Sequence, residues 1–316
     1  MRILHVNNPS NVAVEIRDAQ RRAGHESVVV ATYPNPARAN YAEDWRIHPA
    51  SVGRAAFWLA LRRLCRWADV VHCHGVRGTH PRLARIATLG KIVAAHYHGT
   101  DLRRGVGMRI RWADASFVAT PDIWPKAREA AVLRFPVTPP DFAKAHEEKD
   151  VVTVLHAHAG NRDERGVEVK GSADIAALLG DLPRVRHVQV TGLPHAEALR
   201  AFREADVVVD QMRLGTHGVF AVEAMLMGVP VLGAVRPFSV DGVRWYNPVE
   251  PATLGDLRER VEALAADAGE RRRIGERQRA FALRWNDPDR IAAFVERAYE
   301  GRAPAGQPFA DPEGLA

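Results

Sequence analysis

ADVVVDQMRLGTHGVFAVEAMLMGVPVL, residues 205–232, is the stretch that decides the fold. A buried strand at 207–209 leads into a polar loop with Gly215 and Gly218, and the helix that follows carries Glu223 before a second apolar strand. Such a strand–loop–helix unit places loop amides and the positive end of a helix at one edge of a sheet, where a bound anion is stabilised. A carboxylate one to two turns inside the helix suits the hydroxyls of a ribose. The competing interpretation is a tight turn followed by a solvated Glu223.

The same alternation of strands and helices runs along the whole chain and predicts parallel sheets with helices on both faces. Strands are predicted at 3–6, 27–31, 69–72, 92–96, 116–119, 151–156, 185–191, 205–210 and 229–232. Helices are predicted near 13–23, 54–67, 82–88, 124–130, 253–266, 270–284 and 288–299. The segment 136–150 has three prolines and a cluster of charges, which is typical of an interdomain linker.

The chain is long enough for two cores, with 316 residues of which 47% are apolar. We expect two α/β domains facing a central cleft, a helix that crosses back to the N-terminal domain, and a disordered tail. Their predicted bounds are 1–140, 151–286, 287–300 and 301–316.

Cysteine content and hydropathy indicate the compartment. Cys65 and Cys73 are the two cysteines of the sequence, too few for a disulfide framework. MRILHV at the start has the pattern of a core strand, and no window approaches eighteen uninterrupted apolar residues. We therefore expect a cytoplasmic protein.

Positive charge is concentrated in the N-terminal half. The net charge of the chain is +6, and residues 50–115 hold eleven arginines and one lysine against three aspartates. This excess predicts an anionic partner. FWLALRRLCRW, residues 57–67, either lies on the inner face of an anionic membrane or forms an ordinary amphipathic helix that buries Phe57, Leu61 and Leu64. No signature of a nucleic-acid-binding module is visible, so nucleic acid is not an expected partner.

Residues 205–232 resemble the donor site of retaining nucleotide-sugar glycosyltransferases of the two-Rossmann-domain (GT-B) type, in particular glycosyltransferase family 4. That family has a Glu, seven residues and a second Glu, with Gly-aromatic-Gly after the first. Glu223 matches the second Glu, Gly215 replaces the first, and Gly218 matches a motif glycine next to His217. The resemblance implies that Glu223 holds the ribose and that one contact to the transferred sugar is missing.

Four other segments carry the resemblance, at 68–75, 94–103, 118–123 and 155–171. In the family an Arg and a Lys in the last of these bind the donor diphosphate, which implies Arg162 and Lys170 here. Lys170 is favoured over Arg165 because Gly171 and a helix follow it. A diphosphate neutralised by these two cations needs no metal ion, so neither a metal nor another cofactor is expected.

Three His-x-His pairs stand at predicted strand ends: His72/His74, His96/His98 and His156/His158. Two such pairs have the residue types of a zinc site, although no HExxH motif accompanies them. The alternative is that they line a cleft as hydrogen-bonding groups. His98 resembles the family's cleft histidine, which contacts the donor sugar. Asp101 either orients that histidine, binds a sugar hydroxyl or caps a helix.

The first loop, NNPSN at 7–11, departs from the family, in which many members have a glycine-rich turn. Asn7, Asn8 and Asn11 offer side-chain amides to an acceptor instead. The resemblance thus implies a metal-independent glycosyltransferase that moves a sugar from a nucleotide diphosphate sugar to an unidentified acceptor, with retention of the anomeric configuration. The acceptor is expected to be anionic or membrane-associated. The alternatives are a non-catalytic nucleotide- or sugar-binding relative of these enzymes and a histidine-ligated metal-dependent hydrolase.

Overall fold

A computed structural model describes residues 1–32, 42–75, 85–103, 110–157 and 167–302, without the side chains of Pro49, Thr100 and Asp101. The chain divides into two compact units. Among the described residues, unit 1 is formed by Met1–Pro136 and by residues 288–302, and unit 2 by Val137–Asp287. Arg162, His158 and the predicted tail beyond residue 302 lie outside the described residues.

Unit 1 is built on a seven-stranded sheet in which every neighbouring pair is parallel. Its strands are β1 (Arg2–Val6), β2 (Glu26–Ala31), β3 (Trp45–Arg46), β4 (Val70–His74), β5 (Ile92–Tyr97), β6 (Ala115–Val118) and β7 (Ala131–Val132). Their order is β3-β2-β1-β4-β5-β6-β7. The order reverses direction between β1 and β4, so the topological switch point of this Rossmann-like sheet lies there.

The helices of unit 1 are α1 (Val12–Arg22), α2 (Pro49–Val52), α3 (Arg54–Trp67), α4 (Thr100–Arg103) and α10 (Pro288–Tyr299), with 3-10 helices at Pro9–Asn11 and Pro121–Lys126. Helix α3 buries Phe57 and Leu61 in a core with Leu4 and Val71 of the sheet. These two side chains are therefore core residues and are not free to enter a membrane. Helix α10 packs against α1, and Ala292 is buried among its residues.

Unit 2 has a five-stranded parallel sheet. Its strands are β8 (Val152–Ala157), β9 (Val185–Val190), β10 (Val207–Val209), β11 (Val231–Gly233) and β14 (Glu250–Pro251), in the order β14-β11-β10-β8-β9. This is the second common order of doubly wound sheets, and its switch point lies between β8 and β10. A hairpin of β12 (Phe238–Val240) and β13 (Val243–Trp245) turns at Asp241 and Gly242, which both have positive φ as a two-residue hairpin turn requires.

The helices of unit 2 are α5 (Ser172–Leu179), α6 (His195–Glu204), α7 (Val219–Leu226), α8 (Leu257–Ala266) and α9 (Ala268–Trp285). Helix α7 is buried from Ala221 to Leu226, as its almost continuous apolar sequence predicts. The predicted α/β architecture of two Rossmann-like domains is confirmed.

Two local predictions differ from the structure. No α-helix forms at 124–130: the 3-10 helix Pro121–Lys126 ends within this segment, and strand β7 follows it at Ala131. The segment 137–150, predicted as part of a linker, belongs to unit 2. The amide of Lys144 donates to Met227 at 2.7 Å, and Lys149 pairs with buried Asp206 at 2.6 Å. In the described part of the chain, no helix is long and apolar enough to cross a membrane.

Candidate functional sites at the two switch points

Lys170, Asp210 and Gly218 meet at the switch point of unit 2, beyond the carboxyl ends of β8 and β10. The Nζ of Lys170 lies 3.1 Å from Oδ1 of Asp210, and Oδ2 of Asp210 accepts the amide of Gly218 at 3.0 Å. Lys170 also lies over the ring of Phe220 on α7, 4.9 Å from its centroid. Because Lys170 and Asp210 are both buried, this ammonium group is fixed at the start of α7. Sequence reasoning missed Asp210, although it is the first polar residue after the apolar run of β10.

Both helices at this switch point begin beside a carboxylate of the chain itself. Asp210 takes the amide of Gly218, the residue before α7. Glu168 takes the amides of Gly171 and Ser172 at 2.7 and 2.9 Å, at the start of α5. Negative groups are stabilised in these positions by the unpaired amides and the helix dipole. These amides are therefore already hydrogen-bonded within the protein.

Glu223 lies just over one turn inside α7 and is almost fully buried. Its Oε1 lies 2.6 Å from Nε2 of His195, the first residue of α6. The pairing fixes the orientation of the carboxylate. The alternative of a solvated Glu223 is excluded by its burial. His195 was not a predicted site residue, since nothing in its local sequence indicates that it meets a residue 28 positions later.

Gly215, at the position of the missing glutamate, has a backbone that disfavours any side chain. Its φ is +77°, and an added Cβ would lie 2.3 Å from Cγ and 2.6 Å from Cβ of Arg236. Glycine adopts this conformation without the steric cost that other residues pay. Next to it, Nδ1 of His217 lies 3.0 Å from Oδ1 of Asn247, whose Nδ2 donates to the carbonyl of Gly215 at 3.4 Å. The backbone conformation of this loop and the side chain of Arg236 therefore disfavour a glutamate at position 215.

In unit 1, five histidines lie together on one face of the sheet; we call them the histidine cluster. Register pairs His5 with His72 and His74 with His96 across neighbouring strands, and alternation along β5 brings His98 to the same side. The ring centroids of His72 and His74, and those of His96 and His98, are 4.2 Å apart. The members are His5, His72, His74, His96 and His98. The cluster spans the switch point between β1 and β4. Sequence reasoning identified both pairs but not His5.

A chain of hydrogen bonds runs through three of these rings. Nε2 of His5 donates to Oε1 of Gln20 at 2.8 Å, which leaves its Nδ1 to accept from Nε2 of His74 at 2.9 Å. Nδ1 of His74 then accepts from Nε2 of His98 at 3.2 Å. Burial lowers the pKa of His5 to about 4 and that of His96 to about 3. It also holds the pKa values of His72 and His74 well below their usual range, so these rings are neutral near pH 7.

His156, the described member of the third histidine pair, does not join the cluster. His156 belongs to unit 2, where its Nδ1 donates to the carbonyl of Val209 at 2.8 Å and its Nε2 lies 2.8 Å from the hydroxyl of Ser172. Through these two hydrogen bonds, His156 on β8 is linked to β10 and to α5.

His98 stands directly before Gly99 at the carboxyl end of β5, but the side chain of Asp101 lies outside the described part of the structure.

The three asparagines of the first loop have structural partners. Asn8 Oδ1 accepts the amides of Ala13 and Val14 and so caps α1. Asn11 donates to Glu15 at 3.1 Å. Asn7 is buried with φ of +71°, accepts the amide of Thr32 at 3.0 Å, and leaves its Nδ2 buried with no hydrogen-bond partner among the described residues. Asparagine tolerates the left-handed region that a glycine would otherwise occupy here.

No protein-family model matches the sequence, and no curated protein matches it either. Solved structures do share its fold. HepE from Anabaena, solved in complex with UDP-glucose, is 14% identical with a TM-score of 0.66, covering 95% of this chain and 100% of its own. The lipopolysaccharide outer core galactosyltransferase WaaB is 12% identical with a TM-score of 0.56, covering 96% and 100%. The N-terminal domain of a trehalose-6-phosphate phosphatase from Candida albicans is 11% identical with a TM-score of 0.64, covering 95% and 96%. The chain therefore has the GT-B fold of two Rossmann-like domains.

Proposed function

We propose that the protein is a glycosyltransferase that moves a sugar from a nucleotide diphosphate sugar to an acceptor. The observation that carries the proposal is the meeting of Lys170, Asp210 and Gly218 at the switch point of unit 2, on the helix that also carries Glu223. Ligands of doubly wound sheets bind outside the carboxyl ends of the strands at this point. The fold shared with WaaB and with HepE, whose structure holds UDP-glucose, supports the same class of donor.

Donor binding is assigned to unit 2. Glu223 accepts hydrogen bonds from the ribose hydroxyls, and His195 keeps its carboxylate oriented for them. Lys170 and Arg162 neutralise the diphosphate as it gains charge during cleavage of the glycosidic bond. Since these cations supply the positive charge, we propose that transfer needs no metal ion.

The transferred sugar is assigned to the loop around Gly218. With Gly215 in place of a glutamate, the remaining polar side chain there is His217, which Asn247 holds in position. Retention of the anomeric configuration follows from the proposed kinship with family 4, in which the leaving diphosphate and the incoming hydroxyl share one face of the sugar.

The acceptor is assigned to unit 1, whose residues 50–115 carry the positive charge that an anionic or membrane-associated acceptor would meet. His98 contacts the donor sugar, with Asp101 as its neighbour along the chain. Among the described residues, the buried amide nitrogen of Asn7 has no hydrogen-bond partner, which makes it a better acceptor contact than Asn8 or Asn11, whose amides already donate to glutamates.

The donor assignment is tested by calorimetry with UDP, GDP, ADP and TDP, which also identifies the base. Glu223→Gln should weaken the preferred nucleotide, whereas Glu197→Gln, on the exposed face of α6, should not. Lys170→Ala should weaken it as well, with Lys149→Ala as the control because Lys149 forms a similar pair with Asp206. Transfer should persist in chelator. Wild-type nucleotide affinity in folded Glu223→Gln and Lys170→Ala would refute the assignment.

A further inference from the structure

The histidine cluster holds more ring nitrogens than its hydrogen bonds use. Both nitrogens of His5 and of His74 are engaged, and Nδ1 of His72 shares a hydrogen bond with Tyr299 at 2.7 Å. In contrast, both nitrogens of His96 are buried without a hydrogen-bond partner among the described residues, and the ring is 1% exposed. A buried polar atom without a hydrogen-bond partner lowers the stability of a protein by about 1–3 kcal/mol. A ligand that binds the nitrogens of His96 would remove this cost.

We propose that His74, His96 and His98 bind a divalent transition-metal ion of the zinc type. One nitrogen from each of these rings lies within 4.8 Å of the other two. The 3.2 Å between Nδ1 of His74 and Nε2 of His98 fits two ligands of a tetrahedral zinc, whose nitrogens stand about 3.3 Å apart at the usual bond length. Three histidines leave the fourth position to water, the ligand number of catalytic zinc sites.

The second trio of the cluster, His5, His72 and His74, also has three nitrogens close together but is a poorer site. His5 is already bonded to Gln20 and Nδ1 of His72 to Tyr299, and all three rings of this trio are buried. His98 is only partly buried and stands at the carboxyl end of its strand, which gives an ion a way in. His5 instead acts behind the metal. It accepts from Nε2 of His74 and donates to Gln20, so that Nδ1 of His74 faces the ion, as outer partners of ligating histidines commonly do.

The ligand set selects the metal class. All three ligands are neutral imidazoles, which suit zinc, cobalt, nickel and copper, whereas magnesium and calcium prefer oxygen ligands. On binding, His98 moves its proton from Nε2 to Nδ1, and no redox change or co-reactant is involved. The proposal stands independently of the proposed transfer activity. If His98 also contacts the donor sugar, bound zinc removes that nitrogen and should slow transfer.

Metal binding is measured on the full chain after removal of metals with chelator, by calorimetry with Zn²⁺ and by the visible absorption of Co²⁺. One ion per chain with a tetrahedral cobalt spectrum is expected. His96→Gln and His98→Gln should weaken binding more than about 100-fold, and His5→Gln by about 10–100-fold, the range for an outer partner. His72→Gln, a buried change in the same cluster, should leave the affinity within a few-fold of wild type.

A His98→Cys variant gives a positive signal that folding defects cannot mimic, since a thiolate ligand adds a near-ultraviolet charge-transfer band to bound Co²⁺. Circular dichroism checks that each variant folds. Absence of metal binding by the wild type would overturn the proposal and leave the cluster as a hydrogen-bonded chain. Binding that is lost in His72→Gln but kept in His98→Gln would overturn the choice of trio.

Discussion

Each unit has a switch point in a parallel, doubly wound sheet, and the two switch points differ in charge. At the switch point of unit 1, burial lowers the pKa values of His5, His72, His74 and His96, so these four rings are neutral near pH 7. At that of unit 2, Lys170 and Asp210 form a buried ion pair, and the carboxylate of Glu223 lies within hydrogen-bond distance of the partly exposed ring of His195. Strand order fixes where a ligand binds in such sheets, and the side chains there decide what is bound. The neutral rings at the switch point of unit 1 suit a metal ion or a hydroxyl, and the charged groups at the switch point of unit 2 suit a nucleotide.

The paired charges of unit 2 have a further consequence. Asp210 and Glu168 take the amides at the starts of α7 and α5, so a diphosphate meets helix starts that already hold a carboxylate. Its charge must therefore be met by side chains, chiefly Lys170 among the described residues. Removal of the ammonium group of Lys170 should therefore weaken nucleotide binding strongly.

The largest effect should come from His98. If its ring stabilises charge on the donor sugar, His98→Ala should lower kcat for transfer by about 10²–10³, as for loss of one preorganised hydrogen-bond donor. His187→Ala, a half-buried histidine of unit 2, is the control. A wild-type kcat in folded His98→Ala would remove unit 1 from the chemistry and leave its cluster to metal binding alone.

Acid should destabilise unit 2 through His156, whose pKa is lowered to about 4 by burial. Its backbone hydrogen bond and nearby Asp210 raise the pKa, while Lys170 and His187 lower it. The unfolded state binds this proton at about pH 6.5, so stability is complete above that pH, falls towards pH 4, and loses nothing further below. Over this window the loss is about 3 kcal/mol at most.

The measurement is urea unfolding of wild type and His156→Gln at pH 7 and pH 4.5. The variant should lose less stability on acidification, because the other histidines titrate in both proteins. An equal loss would mean that the buried ring of His156 is protonated in the folded state.

Glu223 should contribute less than His98 but act on binding. Glu223→Ala removes hydrogen bonds between a charged group and the ribose, so nucleotide diphosphate affinity should fall by about 1.5–3 kcal/mol. A deoxyribose analogue should bind the wild type more weakly and the variant without further loss. If the deoxyribose analogue lost the same affinity in the wild type and in Glu223→Ala, the ribose would not contact Glu223. The assignment of the donor to the switch point of unit 2 would then be wrong.

The sequence predicted the architecture because β10 and its neighbours are apolar runs bounded by polar loops. It also singled out Glu223, Lys170 and the two histidine pairs as candidates, since each has a local pattern, and their roles stay predictions. It did not predict His195, because the pairing with Glu223 depends on how α6 and α7 pack. His5 was missed for the same reason: it is a single histidine in a strand, and only the register with β4 brings it to His74.

Gly215 tests whether the missing glutamate is tolerated. A side chain there must adopt φ of +77° and meet Arg236, so Gly215→Glu should lower stability by about 1–3 kcal/mol and should not raise transfer. Gly192→Ala is the matched control, since its φ is +63° with nothing within 4 Å of the added Cβ. Arg236→Ala should recover part of the loss in Gly215→Glu only. A stable and more active Gly215→Glu would show that Arg236 moves aside readily.

The smallest effect should come from the arginines of α3. Arg62 and Arg63 are exposed, whereas Phe57 and Leu61 are buried, so any attraction of this helix to an anionic surface is electrostatic. Each arginine near an anionic membrane contributes about 1 kcal/mol, and the contribution falls off within a Debye length. Binding to vesicles with anionic lipid should therefore weaken steeply with salt and weaken further in Arg62→Glu/Arg63→Glu. The control is Arg200→Glu/Arg273→Glu, which makes the same charge change on exposed positions of unit 2. Equal losses in both double variants would mean that the vesicles sense net charge alone, and salt-independent binding would mean that an apolar surface carries the contact. A loss confined to the α3 variant would place the anionic partner at α3 of unit 1 and not at the histidine cluster of the same unit.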